Sequence, residues 1–402
     1  MDHARNRNGR RLRLTLTILA AQLSAACASL DRVSYVPPAQ VASRPAPRVS
    51  AESLSVLWQN VGMPPGPFGS NNVERAERIC DRLTSYEPAD VIVLLEVFDE
   101  AARAVFIRRL SDRWPWIVRR SGGGSFLPED SGILLASRLP IVVDRTPRIA
   151  FQSFRAKGPM TRADHWAAKG VLGVEVDLGA RRSLCLLATH LMADYEVLGQ
   201  YEQVRRRQLQ EVVEFGRQFV AGVRASRRSS VLLVGDLNVP AEKVVPASGA
   251  YATRRVPTAE YQHMLEVLQR PTDLYRVSHD DAGWTWNHDP QAPGADPALG
   301  PQRLDYGFVL TDLVPRARRS ALAHVETSLL NHPQGIADHR GLQTHMAFRE
   351  AAPTRTPRVA ARVAEVAETR RPPAAVEAAT AAPPTIVALA PASSPRKADR
   401  DS

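Results

Sequence analysis

Cysteine is nearly absent from this chain: its 402 residues contain three, Cys27, Cys80 and Cys185. That is too few for a disulfide-stapled scaffold. Cys80 falls in a helical pattern and Cys185 inside an apolar strand, where each reads as a small core residue; a bridge between them in an oxidising compartment stays open as an alternative. The mainly apolar run Leu14–Ala26 is too short to span a bilayer comfortably, and no repeat of solenoid length is present. The body also lacks an excess of either charge. The net charge is +10, but residues 1–50 carry 8 Lys and Arg against 2 Asp and Glu, and residues 351–402 carry 8 against 5. Residues 51–350 are left with 36 basic and 35 acidic side chains, so the body offers no electrostatic case for a polyanion. Beyond residue 350 there is no aromatic residue, and Ala, Pro, Arg and Val recur without helical order. The segment 351–402 is expected to be a disordered tail.

What is present begins with a leader. Arg5, Arg7, Arg10, Arg11 and Arg13 precede the apolar run, and small residues lead up to Cys27, the pattern of a secretory signal. Ser24-Ala25-Ala26-Cys27 is similar to a bacterial lipoprotein cleavage box, with Ser where Leu is commonest. Residues 1–30 are therefore expected to export the protein, to the bacterial cell envelope as a lipoprotein or periplasmic protein, or into the medium. Residues 31–51, rich in Pro, Ala and Ser, read as a flexible linker, and residues 52–350 as the globular body.

Within the body, Ser53–Asn60, Val91–Leu95, Ser131–Ala136, Ile141–Val143, Gly170–Leu178, Ser183–Thr189, Val231–Val239, Leu304–Leu310, Ala321–Thr327 and Gly341–Phe348 read as strands. Helical spacing covers Asn71–Tyr86, Glu100–Leu110, Val197–Ala225 and a stretch near Thr258–Leu268. Wholly apolar and alternating strands with helices between them suit two packed sheets covered by helices.

Polar residues stand where these strands end: Asn60, Glu96, His190, Asp236 with Asn238, and Asp338 with His339, while Asp305 lies inside another strand. Gly235 is expected to let the chain turn after its strand. Singly, each has an ordinary explanation, such as a helix cap for Glu96, a core imidazole for His190 or a solvated turn for Asp338-His339-Arg340. Gathered at one edge, they fit phosphate-ester hydrolysis. Glu96 and Asn60 suit a hard divalent cation such as Mg²⁺, which needs few protein oxygens. His339, backed by Asp305 or Asp338, suits a general base. His190 and Asn238 can donate to phosphoryl oxygens, and Asp236 stands beside them facing the phosphate and its leaving group.

Six stretches, in order, carry a resemblance: Leu95-Glu96-Val97-Phe98-Asp99, Ser131 to Arg138, Thr189-His190-Leu191, Gly235-Asp236-Leu237-Asn238, Arg303-Leu304-Asp305-Tyr306 and Ala337-Asp338-His339-Arg340. Residues 53–348 resemble the endonuclease/exonuclease/phosphatase (DNase I-like) superfamily, and within it bacterial and neutral sphingomyelinases most. Phe98-Asp99, Ala168-Lys169-Gly170 and the Arg206, Gln208 and Glu211 pattern favour that branch. The resemblance implies a four-layer α/β/β/α sandwich of two mixed sheets flanked by helices. It also implies metal-dependent, phospholipase C-type release of phosphocholine from sphingomyelin, with Mg²⁺ or another divalent cation as cofactor and a membrane surface as partner. A monomer is expected. Leu95, Leu237 and Ala337 replace residues commoner in the family without removing a catalytic group. Ser328–Ala337 is short and holds no aromatic, where secreted relatives carry an aromatic hairpin. Trp284 and Trp286 read as packing residues, with lipid contact as the alternative. The competing readings are a nuclease of the same fold and a non-catalytic envelope lipoprotein.

Overall fold

The computed structural model describes residues 33–36 and 53–349, apart from 70, 86–88, 124–129, 143–148, 225, 247–252, 288, 290–291, 293–298, 321 and 331–335. The chain falls into two units, 1–351 and 352–402. The second lies outside the described residues, as do the expected leader and all of the expected linker except 33–36.

In chain order the first part is β1 (Val33–Val36), β2 (Ser53–Met63), α1 (Asn72–Ser85), β3 (Val91–Val97), α2 (Glu100–Leu110), β4 (Trp116–Ser121) and β5 (Leu134–Ser137). Next come β6 (Ile149–Ser153), α3 (Ala163–Trp166), β7 (Gly170–Asp177), β8 (Arg182–His190), α4 (Glu202–Ala221) and β9 (Arg228–Asp236). A hairpin of β10 (Glu242–Pro246) and β11 (Thr253–Pro257) leads to α5 (Ala259–Val267), β12 (Thr272–Asp273), α6 (Leu274–Ser278) and β13 (Asp305–Val309). The chain then returns to its first sheet with β14 (Leu322–Leu329) and β15 (Leu342–Phe348).

One sheet has the order β1-β4-β5-β3-β2-β15-β14, the other β12-β13-β9-β8-β7-β6. The central pairs β2–β3 and β8–β9 are parallel and their neighbours antiparallel, so both sheets are mixed. Three apolar layers hold the sandwich together. Trp58, Val93, Leu95, Leu172, Leu186 and Val234 fill the space between the sheets. Leu57, Ile92 and Leu94 pack outward under Ile79 and Leu83 of α1 and Phe106 of α2. Leu187 and Leu233 pack under Val212 and Phe215 of α4. Central strands covered on both faces must be apolar at successive positions, which is why Val91–Leu95 and Val231–Val234 carry no alternation. This is the expected four-layer α/β/β/α sandwich. Cys80 and Cys185 lie in different layers, under α1 and under α4, so no bridge joins them to each other.

Several local expectations are corrected. Val33–Val36, assigned to the flexible linker, pairs antiparallel with β4; its β-branched ends suit an edge strand, and Tyr35 stacks on Trp116 at 6.1 Å. The strand expected from Ser131 begins at Leu134, because side chains take over the backbone before it: Asp130 accepts from Gly132 N, and Ser131 Oγ from Ile133 N. Ile141 makes only an isolated bridge to Val176, and 143 is outside the described residues. The helix expected from Val197 starts at Glu202, since the Asp194 carboxylate accepts from Gly199 N and Tyr201 N and holds the preceding turn open. Gly235 does not turn the chain. It is a strand residue whose Cβ, if present, would stand 1.8 Å from the Thr189 carbonyl oxygen; the left-handed residue that follows the strand is Asn238.

Candidate active site

Strand register brings the polar residues together. In the second sheet His190 stands opposite Asp236 across β8–β9, and Asp236 opposite Asp305 across β9–β13. In the first sheet Asn60 pairs with Leu95, beside Glu96. The two groups meet across the sandwich: Asn60 Nδ2 donates to Glu96 Oε1 at 2.8 Å and to Asp236 Oδ2 at 3.0 Å. The Asn60 carbonyl oxygen accepts from Gly62 N at 3.0 Å, so its amide face, not its oxygen, is turned to the carboxylates. Glu96 has φ 57°, a left-handed conformation costing on the order of 1–3 kcal/mol for a residue with a Cβ. Its side chain, 29% exposed, is the most open of the set.

His339 Nδ1 lies 2.7 Å from Asp305 Oδ2, and its Nε2 lies 3.7 Å from Asp236 Oδ2. Asp338 turns elsewhere and accepts from Trp286 Nε1 at 3.1 Å. Of the two carboxylates that could back His339, Asp305 is the one in contact. Asp305 is itself fixed, since Thr285 Oγ1 accepts from its backbone N at 3.1 Å. Arg75 secures the loops on either side by donating to the carbonyls of Val61, Gly62 and Ile336. Asn238, at φ 52°, donates its backbone N to Asp236 Oδ1 at 2.9 Å and its amide to Leu191 O at 3.2 Å.

Lys169 is the residue whose place the sequence did not disclose, although Ala168-Lys169-Gly170 stood out. Its buried ammonium lies 2.7 Å from Asp164, 2.9 Å from Leu191 O and 3.0 Å from His190 Nε2. An ammonium only donates, so this nitrogen of His190 accepts and the ring proton sits on Nδ1, a buried atom with no partner among the described residues. His190 Nε2, expected to serve phosphoryl oxygens, is therefore engaged by Lys169.

The electrostatics follow from burial and crowding. Burial pushes the Glu96 carboxyl up to about 7, against the pull of Lys169. Burial, with Lys169 beside it, drops His190 to about 3, so the ring is neutral. Asp236 is raised by burial and by Asp305 across the ladder. Burial works against the charged form of His339, but Asp305, Asp236 and Asp338 outweigh it and hold the ring well above its ordinary value. Ligand atoms of Glu96, His190 and Asp236 lie within 4.8 Å of one another, as do those of Asp236, Asp305 and His339. Asp305 Oδ1 is buried with no partner among the described residues. Crowded, buried carboxylates of this kind fit a hard divalent cation. Glu96, His190, Asp236 and His339 border a cavity of about 160 Å³, which Tyr195, Val197, Leu198 and Trp286 also line.

Comparison with known proteins bears on the family and the fold. The sequence pattern of the Endonuclease/Exonuclease/phosphatase family matches residues 57–309. An uncharacterized protein of Dictyostelium discoideum is 29% identical over 186 residues, 42% of this chain; the match spans 16% of that relative's length. Among solved structures, sphingomyelinase C from Streptomyces griseocarneus superposes with a TM-score of 0.56 at 21% identity, over 73% of this chain and 99% of that one. A beta toxin from Staphylococcus aureus with bound magnesium ions gives 0.53 at 17% identity, over 73% and 99%. D. rerio TDP2 complexed with a single-strand DNA product gives 0.50 at 18% identity, over 74% and 99%. At these identities the likeness is one of fold.

Proposed function

Because the chain belongs to the endonuclease/exonuclease/phosphatase family, we propose that it is a divalent-metal-dependent phosphodiesterase of the sphingomyelinase type, releasing phosphocholine from a choline phospholipid. The observation that carries the reading is the meeting, across the two sheets, of Glu96, Asn60 and His339 carried by the first with Asp236, Asn238 and Asp305 carried by the second. Glu96 holds the metal, with Asn60 bracing its carboxylate against Asp236. When bound, the cation offsets the charge of the phosphoryl oxygens and draws electron density from phosphorus.

His339 takes the proton of the attacking water as its oxygen bonds to phosphorus, and the bond to the alcohol oxygen breaks as that oxygen takes a proton from solvent. Asp305 holds the imidazole in one orientation. That proton acceptance needs the neutral form of the ring. Asn238 steadies the phosphate and its leaving group, and Lys169 keeps His190 fixed and neutral beneath them. Among the described residues no lysine or arginine lines the cavity, which favours a single zwitterionic diester over a polyanion. The likeness to a DNA-bound structure favours a nuclease as the second reading.

The test is release of phosphocholine from sphingomyelin and from phosphatidylcholine, with plasmid DNA in parallel, with and without Mg²⁺. Mg²⁺-dependent phosphocholine release with intact plasmid is expected. Nicking without phosphocholine moves the assignment to nuclease, and no turnover of either substrate refutes catalysis.

A further inference from the structure

A larger cavity, about 540 Å³, opens beside the catalytic one and meets it at Leu198, which lines both. Pro240 and Ala241 at its wall follow Asn238 closely in the chain, and Gln302 and Arg303 precede Asp305. The two segments that carry the catalytic residues thus continue into this second cavity. Val244 of the β10–β11 hairpin and Trp284 complete its lining.

Most of the charge on its walls is engaged. Glu242 pairs with Arg276 and Arg255, and Glu260 with Arg205 at 2.6 Å. Arg303 bonds Asp273 at 2.9 Å and packs over the rings of Tyr261, Tyr275 and Tyr306. Glu202 and Lys243 remain, one of each sign. Apart from Thr258 and Gln302 the rest of the lining is apolar, yet Val244 is 65%, Trp284 45% and Leu198 38% exposed. Large apolar groups around a cavity of this size mark a ligand site more often than a bare surface.

We propose that this cavity is the subsite for a hydrocarbon chain carried on the departing alcohol of the phosphodiester. With phosphorus in the catalytic cavity, the chain runs over Leu198 and lies between Val244 and Trp284. The inference rests on the phosphodiesterase reading of the neighbouring site. The smaller cavity has room for the phosphate and a compact group, and the larger one takes what is apolar. Such a pocket draws one chain out of a lipid layer, in place of a wedge pushed into it.

Calorimetric titration of the full chain in EDTA with alkylphosphocholines of six to ten carbons, below their micelle concentrations, reads the subsite without turnover. In the wild type, affinity should rise by up to about fourfold per methylene. Val244→Glu at an exposed position and Trp284→Ala should at least halve that dependence, on a logarithmic scale, without a change in circular dichroism. A wild type indifferent to chain length, or folded variants with the wild-type dependence, overturns the proposal. So does loss of binding to sphingomyelin vesicles with an unaltered soluble series, which makes the rim a membrane-docking edge. Turnover of bis(p-nitrophenyl) phosphate with Mg²⁺ reads the catalytic assignment separately: its failure beside intact chain-length dependence removes the reaction while supporting the apolar site.

Discussion

Replacing Asp305 with asparagine separates chemistry from stability at this site. The two side chains are nearly the same size, so packing around a residue with no exposed side-chain surface is kept. What changes is charge. The 2.7 Å contact from His339 Nδ1 becomes a neutral hydrogen bond, worth about 0.5–1.5 kcal/mol, instead of a charge-assisted one of about 1.5–3 kcal/mol. Loss of that anchoring alone lowers the rate on the order of 10-fold. Loss of the ring's orientation adds to it, up to the roughly 10²–10⁴-fold attributable to a positioned base. Stability balances two opposing changes and should move little: removing Asp305 relieves its repulsion with Asp236 but takes away the first charge that offsets the burial of protonated His339. The assay is initial-rate turnover of a chromogenic phosphodiester at saturating Mg²⁺, beside a thermal melt. Asp338→Asn is the control, since its carboxylate serves Trp286 and not His339; its rate should fall less. A folded Asp305→Asn enzyme with a rate within twofold of wild type refutes the pairing of Asp305 with the base.

Four further outcomes are expected. Glu96→Gln should raise the Mg²⁺ concentration for half-maximal activity at least tenfold, and an unchanged Mg²⁺ titration would place the ligand elsewhere. Asn238→Ala should lower kcat more than it raises KM; the reverse split, from the same steady-state fits, would confine Asn238 to ground-state binding. His190 is neutral with a folded value of about 3 against an ordinary 6.5. The unfolded chain therefore binds the extra proton first, and this residue costs stability as pH falls from about 6.5 towards 3; melts in EDTA should show His190→Gln less acid-sensitive than wild type across that window, and parallel curves would contradict the burial argument. If Cys27 is acylated, Cys27→Ser should leave the membrane fraction yet still act on detergent-dispersed substrate, whereas a wild type already soluble on fractionation would end that idea.

Local pattern carried much of this protein. Glu100–Leu110 is the helix its spacing indicates, with Asp99 as cap accepting from Ala102 N at 2.9 Å. Val91–Val97 and Arg228–Asp236 are the buried central strands their apolar runs require. A strand covered on both faces leaves polar residues only at its ends, so Asn60, Glu96, His190 and Asp236 could be picked out singly. Less legible were strands whose pairing comes from elsewhere. β1 and β4 are edge neighbours 80 or more residues apart, and β10–β11 opens with the polar Glu242-Lys243 and contains two adjacent arginines, Arg254 and Arg255.

The site's internal wiring was decided by packing alone. Asp305 and Asp338 were equivalent candidates behind His339, and the β9–β13 register put the first in contact while Trp286 drew the second away. Asn60 links Glu96 to Asp236, 36 and 176 positions distant, only because the two sheets close over the shared core. Lys169 found His190 by the same route, across the β7–β8 pair. Hydrophobic periodicity is a property of neighbouring residues, and it fixes which face of an element is buried. Contacts between strand ends depend on sheet order, register and the angle at which the sheets pack, and these are set by the summed burial of the whole core.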